Sequence, residues 1–143
     1  MKPKVLFLCT GNSARSQMAE GWLRALAGDR FEVFSAGTHP AGLNPLAIAV
    51  MQEVGIDISS QHSKSIDQFV GKPIDHVITV CDRAKESCPV FPSAFQVFDW
   101  SFDDPAVATG SNEARLSVFR LVRDEIREKI LREFLCLCDD PEN

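Results

Sequence analysis

The residues able to do covalent chemistry fall into three groups along the chain. Cys9 and Arg15 enclose Thr10, Gly11, Asn12, Ser13 and Ala14; Cys81 and Cys88 have six residues between them; and the paired carboxylates Asp103 and Asp104 precede Pro105. In the first group, small and turn-tolerant residues let successive backbone N–H groups point inward as an anion-binding nest. The helix formers that follow add the positive end of a helix dipole. Arg15 can present a planar, two-pronged guanidinium to a tetrahedral oxyanion, as a lysine could not. The same positive potential favours ionisation of Cys9, so one field activates a nucleophile and binds its target. An isolated cysteine at a strand end is ordinarily core filler; a glycine, an arginine and a helix start all coinciding with Cys9 argue for a reactive thiolate. Asn12, which tolerates a left-handed backbone, is expected to hold the loop's shape. Ser16 stands between two readings, a further donor to the thiolate or a serine that only starts the helix.

Cys81 and Cys88 lie in a stretch rich in charge and poor in hydrophobic residues, Asp82-Arg83-Ala84-Lys85-Glu86-Ser87. If Cys81 sits beside Cys9 it can attack a sulfur there, and Cys88 can then take over the disulfide by thiol exchange. Zinc is the competing use, but zinc pairs usually have about two to four residues between them and no second Cys/His pair matches. Cys136 and Cys138 read as helix-end residues. An arsenite or zinc binder built from Cys81, Cys88, Cys136 and Cys138 would leave the Cys9 loop without a purpose. Expelling an oxide from a central atom needs a proton donor; Asp103 and Asp104 are both candidates, and residue chemistry does not choose between them. His39, His62 and His76 show no ligand spacing and are expected to lie apart from the Cys–Arg loop.

These groups need strands and helices to bring them together. Lys4 to Cys9 is a short apolar run ending at a turn, followed by helix formers from Ser16 to Ala27. Phe31 to Ala36, closed by Gly37, is a second strand; Asn44 as cap and Pro45 at the first position begin a helix ending near Gly55. His76 to Val80 forms a third strand running into Cys81, and Gln96 to Phe98 a fourth at an edge. From Asn112 to Leu135, apolar residues at Leu116, Phe119, Val122, Ile126, Ile130 and Phe134 recur in steps of three and four, the mark of a long amphipathic helix. Alternation of strand and helix predicts a single α/β domain over residues 1–138, with a four-stranded parallel sheet covered by helices on both faces and a frayed acidic tail at 139–143. Ligands bind such sheets at the carboxyl ends of the strands, where Cys9 and Cys81 both fall.

Composition narrows the function. A net charge of -5 gives no basic stripe for nucleic acid. No apolar run approaches the roughly 18 residues of a membrane span, and the about five apolar residues before Thr10 are too few for a signal peptide. A cytoplasmic protein is expected, and five cysteines without the spacing of a secreted scaffold agree with that. The loop after the first strand lacks G-x-G-x-x-G, so no nicotinamide or flavin cofactor is expected and electrons must arrive through a protein or a small thiol.

The strand, the Cys9-to-Arg15 loop, Ser16 and the helix resemble the low-molecular-weight protein tyrosine phosphatase superfamily. The longer string from Cys9 to Gly21, together with Thr79-Val80-Cys81 and Cys88-Pro89, is similar to its thioredoxin-coupled arsenate reductase branch. The resemblance implies the phosphatase-like fold, arsenate as substrate, a three-cysteine relay through Cys9, Cys81 and Cys88, and thioredoxin or a similar thiol protein as reductant. It also favours Asp104 as the acid, through the match at Trp100-Ser101-Phe102-Asp103-Asp104-Pro105. A phosphomonoesterase using the same thiolate is the alternative. Against it, Ala106 and Val107 stand where tyrosine phosphatases often carry aromatic residues, and the chain has no tyrosine. Ala14 stands where many of these reductases have another cysteine. Asn12, Glu20 and Ser35 match three ligand positions of a potassium site found in some members. Lys64 replaces the carboxylate there, which implies an ammonium in place of the ion and no metal requirement.

Overall fold

The computed structural model describes residues 2–81 and 96–136. Its core is a four-stranded parallel sheet of β1 (Lys4–Cys9), β2 (Glu32–Gly37), β3 (His76–Thr79) and β4 (Gln96–Asp99), in the order β2-β1-β3-β4. The two central strands are apolar throughout because both their faces are covered: Val5 to Leu8 have no exposed surface, and His76 to Thr79 are all buried. β4 lies at the edge, as expected, and alternates between half-buried and exposed residues.

Side chains in register share a face of the sheet. Val5, Phe7, Ser35, His76, Ile78 and Phe98 fall on one face. There α1 (Arg15–Ala27) brings Glu20 to Ser35, and Phe134 near the C-terminal end of the last helix meets His76, Phe31 and Phe98 at ring distances of 5.2, 5.3 and 5.7 Å. On the other face Phe34 packs against Phe69, 5.5 Å away, beside the short helical turn Ile66–Gln68. Helix α2 (Pro45–Glu53) begins as predicted, Asn44 Oδ1 accepting from Leu46 N at 2.8 Å with Pro45 in the first turn.

The last helix departs from a uniform α-helix. Capped by Ser111, α3 (Asn112–Lys129) runs on as a π-helical segment, Ile130–Leu135. Its buried positions explain the change. Phe119 and Val122 are three apart, but Val122, Ile126, Ile130 and Phe134 follow at intervals of four. Four exceeds the 3.6 residues of an α-turn, so keeping that stripe on the sheet requires a wider turn.

Residues 137–143, with Cys138 and the expected tail, lie outside the described residues, as does Cys88. Among the described residues no helix is long and apolar enough to cross a membrane.

Candidate active site

The sheet topology brings the two reactive cysteines together. β1 and β3 are adjacent and parallel, with Leu8 opposite Thr79, and Val80 N donates to Leu8 O at 2.9 Å. Cys9 and Cys81 therefore emerge side by side at the carboxyl ends. Both are buried and reduced, the Cys81 thiol hydrogen-bonds Cys9, and Thr10 Oγ1 lies 3.4 Å from Cys81 Sγ. They form the floor of a cleft of about 580 Å³ whose walls come from the Cys9-to-Arg15 loop on one side and Ser101 to Asp104 and Ala106 on the other, with Ala41 at the mouth.

The loop's carbonyls are occupied from outside. Thr38 N donates to Cys9 O, His39 N to Thr10 O, Ala41 N to Gly11 O and Asn44 N to Ser13 O, at 2.8–3.2 Å. With those oxygens turned outward, the loop is arranged as a nest with amides available inside. Helix α1 starts behind it without a side-chain cap and without an acidic residue in its first turn, so its leading amides keep their positive end for the cleft. Gly37, in register with Cys9, is close-packed against the loop: a Cβ there would stand 2.6 Å from Thr10 O and 2.8 Å from Asn12 N.

Arg15 reaches across the cleft. Its Nη1 donates to Phe102 O at 3.0 Å and its Nη2 lies 3.6 Å from Asp104 Oδ2. Asp104 also caps the short turn Pro105–Val107 by accepting from Ala106 N. Asp103 lines the same cleft, so both candidate acids share it with the thiols, and Asp104 is paired to Arg15.

The expectation of a positive field acting on Cys9 meets a force it did not include. The hydrogen-bonded Cys81 thiol and burial push the Cys9 thiol far above its ordinary range, while Arg15 and the Thr10 amide pull it down. Two sulfurs in contact are unfavourable sites for two negative charges, which is why the contact with Cys81 raises Cys9.

Thr10, Gly11, Ser13, Ala14 and Arg15 line the cleft. Asn12 and Ser16 are fully buried behind it. Asn12 has the expected left-handed backbone, φ 46°, and its Nδ2 donates to Ser16 Oγ at 2.8 Å and Ser35 Oγ at 2.9 Å. Ser35 in turn donates to Glu20, whose carboxylate is paired with Arg24 and lies 3.9 Å from Lys64 Nζ. Lys64 is half-buried; burial lowers its pKa, and Glu20 opposes that shift. His39 does not lie apart from the loop, its N–H donating to Thr10 O, while His62 O accepts from Gln17 of α1, one step removed from it. Their backbones, rather than their imidazoles, make these contacts, so ligand spacing carried no signal of them. Sequence reading also missed Gln17, Gln61 and Ser63, which brace the loop through hydrogen bonds that no periodicity announces.

A family model described as low molecular weight phosphotyrosine protein phosphatase matches residues 4–136. An arsenate reductase of Halalkalibacterium halodurans is 50% identical over 129 residues, covering 90% of this chain and 93% of that protein. One of Bacillus subtilis is 49% identical over 135 residues, 94% of this chain and 96% of that one. A solved arsenate reductase in a phosphate-binding state superposes with TM-score 0.79 at 39% identity, covering 92% of this chain and 95% of that one. A thioredoxin-dependent arsenate reductase of Corynebacterium glutamicum gives 0.67 at 32% identity, covering 89% of this chain and 59% of that one.

Proposed function

This chain belongs to the low molecular weight phosphotyrosine protein phosphatase family, and we propose that it is an arsenate reductase working through a relay of three thiols. The observation that carries the reading is the contact of Cys9 with Cys81 in one cleft with Arg15. A phosphatase of this design needs one nucleophilic thiol; a second thiol touching it has a use when the adduct must be resolved by sulfur. The phosphate-binding state of a similar reductase supports a tetrahedral oxyanion as the ligand of the loop.

Arsenate is held by the loop amides and Arg15. The thiol pair gives up its first proton to the arriving arsenate, on the oxygen that will depart, with Arg15 favouring the thiolate, and Cys9, which also receives the Thr10 amide, carries the attack. Its sulfur bonds to arsenic while Asp104 protonates the departing oxygen, which leaves as water. Cys81 then attacks the Cys9 sulfur. The S–As bond breaks with its electron pair remaining on arsenic, which leaves as arsenite, and a Cys9–Cys81 disulfide forms. Cys88 attacks Cys81, freeing Cys9 and moving the disulfide outward. The two electrons thus come from Cys81 and Cys88, and a thioredoxin-type dithiol restores them, in keeping with the thioredoxin dependence of the Corynebacterium glutamicum protein. Dependence on a reductant of this kind supports a cytoplasmic setting for the reaction.

The test is arsenate-dependent NADPH oxidation with thioredoxin and thioredoxin reductase, comparing wild type with Cys88→Ser under multiple turnover. Turnover lost only in the variant supports the relay, and activity in both removes Cys88 from it. A wild type that is inactive on arsenate but hydrolyses a phosphate ester would instead be a phosphomonoesterase.

A further inference from the structure

The Cys9-to-Arg15 loop is held from behind by a hydrogen-bond chain whose polarity can be read from one end. Arg24 can only donate, and its Nη1 donates to Gln61 Oε1 at 3.0 Å. That orients the Gln61 amide, so Gln61 Nε2 faces Gln17 and donates to its Oε1 at 2.7 Å and its backbone O at 3.1 Å. Gln17 must then turn its Nε2 the other way, where three oxygens wait: Asn12 O and Asn12 Oδ1, each at 3.0 Å, and His62 O at 2.9 Å. Two of these are main-chain carbonyls, which can only accept, so the amide has a single consistent orientation. Asn12 Oδ1 takes a second donor, Lys64 N at 2.7 Å, which leaves Asn12 Nδ2 to serve Ser16 and Ser35. Gln17, Asn12, Ser16 and Ser35 have no exposed surface.

The chain ends on the loop's one left-handed residue. Asn12 is the only non-glycine among the described residues with positive φ, a conformation that costs an L-residue energy unless its surroundings impose it. Its carbonyl belongs to the same peptide as the N–H of Ser13, a residue lining the cleft. Held by Gln17, that carbonyl stays behind the loop and the Ser13 amide faces the other way. Released, the peptide is free to rotate, bringing a carbonyl dipole to a place where an anion needs a donor.

We propose that Gln17 is a positioning residue for the oxyanion loop: oriented by Arg24 through Gln61, its amide anchors the Asn12 carbonyl and so keeps the Ser13 peptide aimed at the substrate. This rests on the oxyanion-binding reading given above. The role is one of ground-state and transition-state anion binding alike, so its loss falls on KM more than on kcat.

The experiment is calorimetric titration of inorganic phosphate into the full-length reduced protein, with arsenate kinetics alongside, for wild type, Gln17→Glu and Gln61→Leu. Gln17→Glu keeps the shape but turns a second acceptor on the Asn12 oxygens. Removing one buried donor of this kind corresponds to a loss of about tenfold or more in phosphate affinity, with KM for arsenate rising by a similar factor and kcat changing less. Gln61→Leu alters a half-buried side chain and leaves Gln17 in place, so it reads the same effect, smaller, even if Gln17→Glu does not fold. A Gln61→Leu protein with wild-type phosphate affinity, or a Gln17→Glu protein that loses kcat at unchanged KM, overturns the positioning role alone. A wild type that binds neither phosphate nor arsenate overturns the oxyanion reading, and the role of Gln17 with it.

Discussion

Replacing Gly37 by alanine tests whether the loop geometry, rather than residue identity alone, carries activity. Gly37 is not required here for an unusual backbone angle; its missing side chain is the point. A Cβ would sit 2.6 Å from Thr10 O, 2.8 Å from Asn12 N and 2.9 Å from Asn12 Cβ, all three atoms of the loop itself. None is the end of a flexible side chain, and β2 cannot retreat freely, because Gly37 is in register with Cys9 and its N–H donates to Lys64 O at 2.8 Å. The loop must therefore yield by roughly half an ångström or more to reach ordinary contact. Overpacking of this kind costs about 1–3 kcal/mol, which lowers Tm by roughly 3–10 °C in a domain of this size. A displacement on the order of 1 Å in a positioning group costs about a hundredfold in rate, so half of it predicts about a tenfold fall in kcat/KM for arsenate. Thermal unfolding and the coupled assay read the two effects separately. A Gly37→Ala enzyme with kcat/KM within about twofold of wild type would refute the claim that the amide geometry is held from β2.

Three further outcomes are expected. In Cys81→Ala, the leading upward push on Cys9 disappears while Arg15 and the Thr10 amide remain; the pH midpoint for Cys9 alkylation by iodoacetamide should fall, and a midpoint that stays or rises would show that Cys81 does not control it. His76 is buried against Phe31 and Phe134, and burial depresses its pKa below 6.5 despite opposition from Asp75 and Gln96. The unfolded chain therefore takes up this proton at higher pH than the native state, so the contribution is complete above pH 6.5 and is lost as pH falls through the native value. Denaturant titrations of wild type and His76→Gln from neutral to mildly acid pH should converge on acidification, and parallel curves would remove His76 from the acid response. Because Lys64 Nζ stands 3.9 Å from Glu20 Oε1, exchanging potassium for tetramethylammonium at constant ionic strength should leave KM for arsenate unchanged; a rise would mean that an ion is still needed there.

Much of this molecule was legible in advance because its signals are local. The continuous apolar run of Lys4 to Cys9 marks a strand buried on both faces, and Asn44-Pro45 marks a helix start within a residue. Thr10 to Ala14 carry the small side chains that a tight loop demands, and Asn12 takes the left-handed backbone that its type allows. What was not legible depends on residues far apart in sequence. Gln17 meets His62 across 45 positions, and Arg15 meets the carbonyl of Phe102 across 87. A backbone carbonyl has no sequence signature, and a buried glutamine on a helix looks like any polar residue until its partner is known. The π-helical end of the last helix lies between these cases: the intervals of four stand in the sequence, but only the sheet they pack against gives them the force to widen a turn.

The thiol pair shows why one sequence feature should not be read without its neighbour. Taken alone, the loop predicts a thiolate at Cys9, since positive ends converge on it. The parallel pairing of β1 and β3 then delivers a second thiol to the same point, and its hydrogen bond, with burial, outweighs Arg15 in setting the direction of the Cys9 shift. For a phosphatase that contact would be a handicap, holding the nucleophile protonated. In a relay it has a use, because the sulfur that must resolve the adduct already stands beside Cys9 when the adduct forms. The cost falls on the first ionisation, and an arriving oxyanion can offset it by accepting the proton that the pair gives up. This predicts that Cys81→Ala should make Cys9 a faster target for alkylation at neutral pH while abolishing multiple turnover with arsenate. Both changes in one variant would tie the raised thiol to the relay; slower alkylation, or turnover that survives, would break the link.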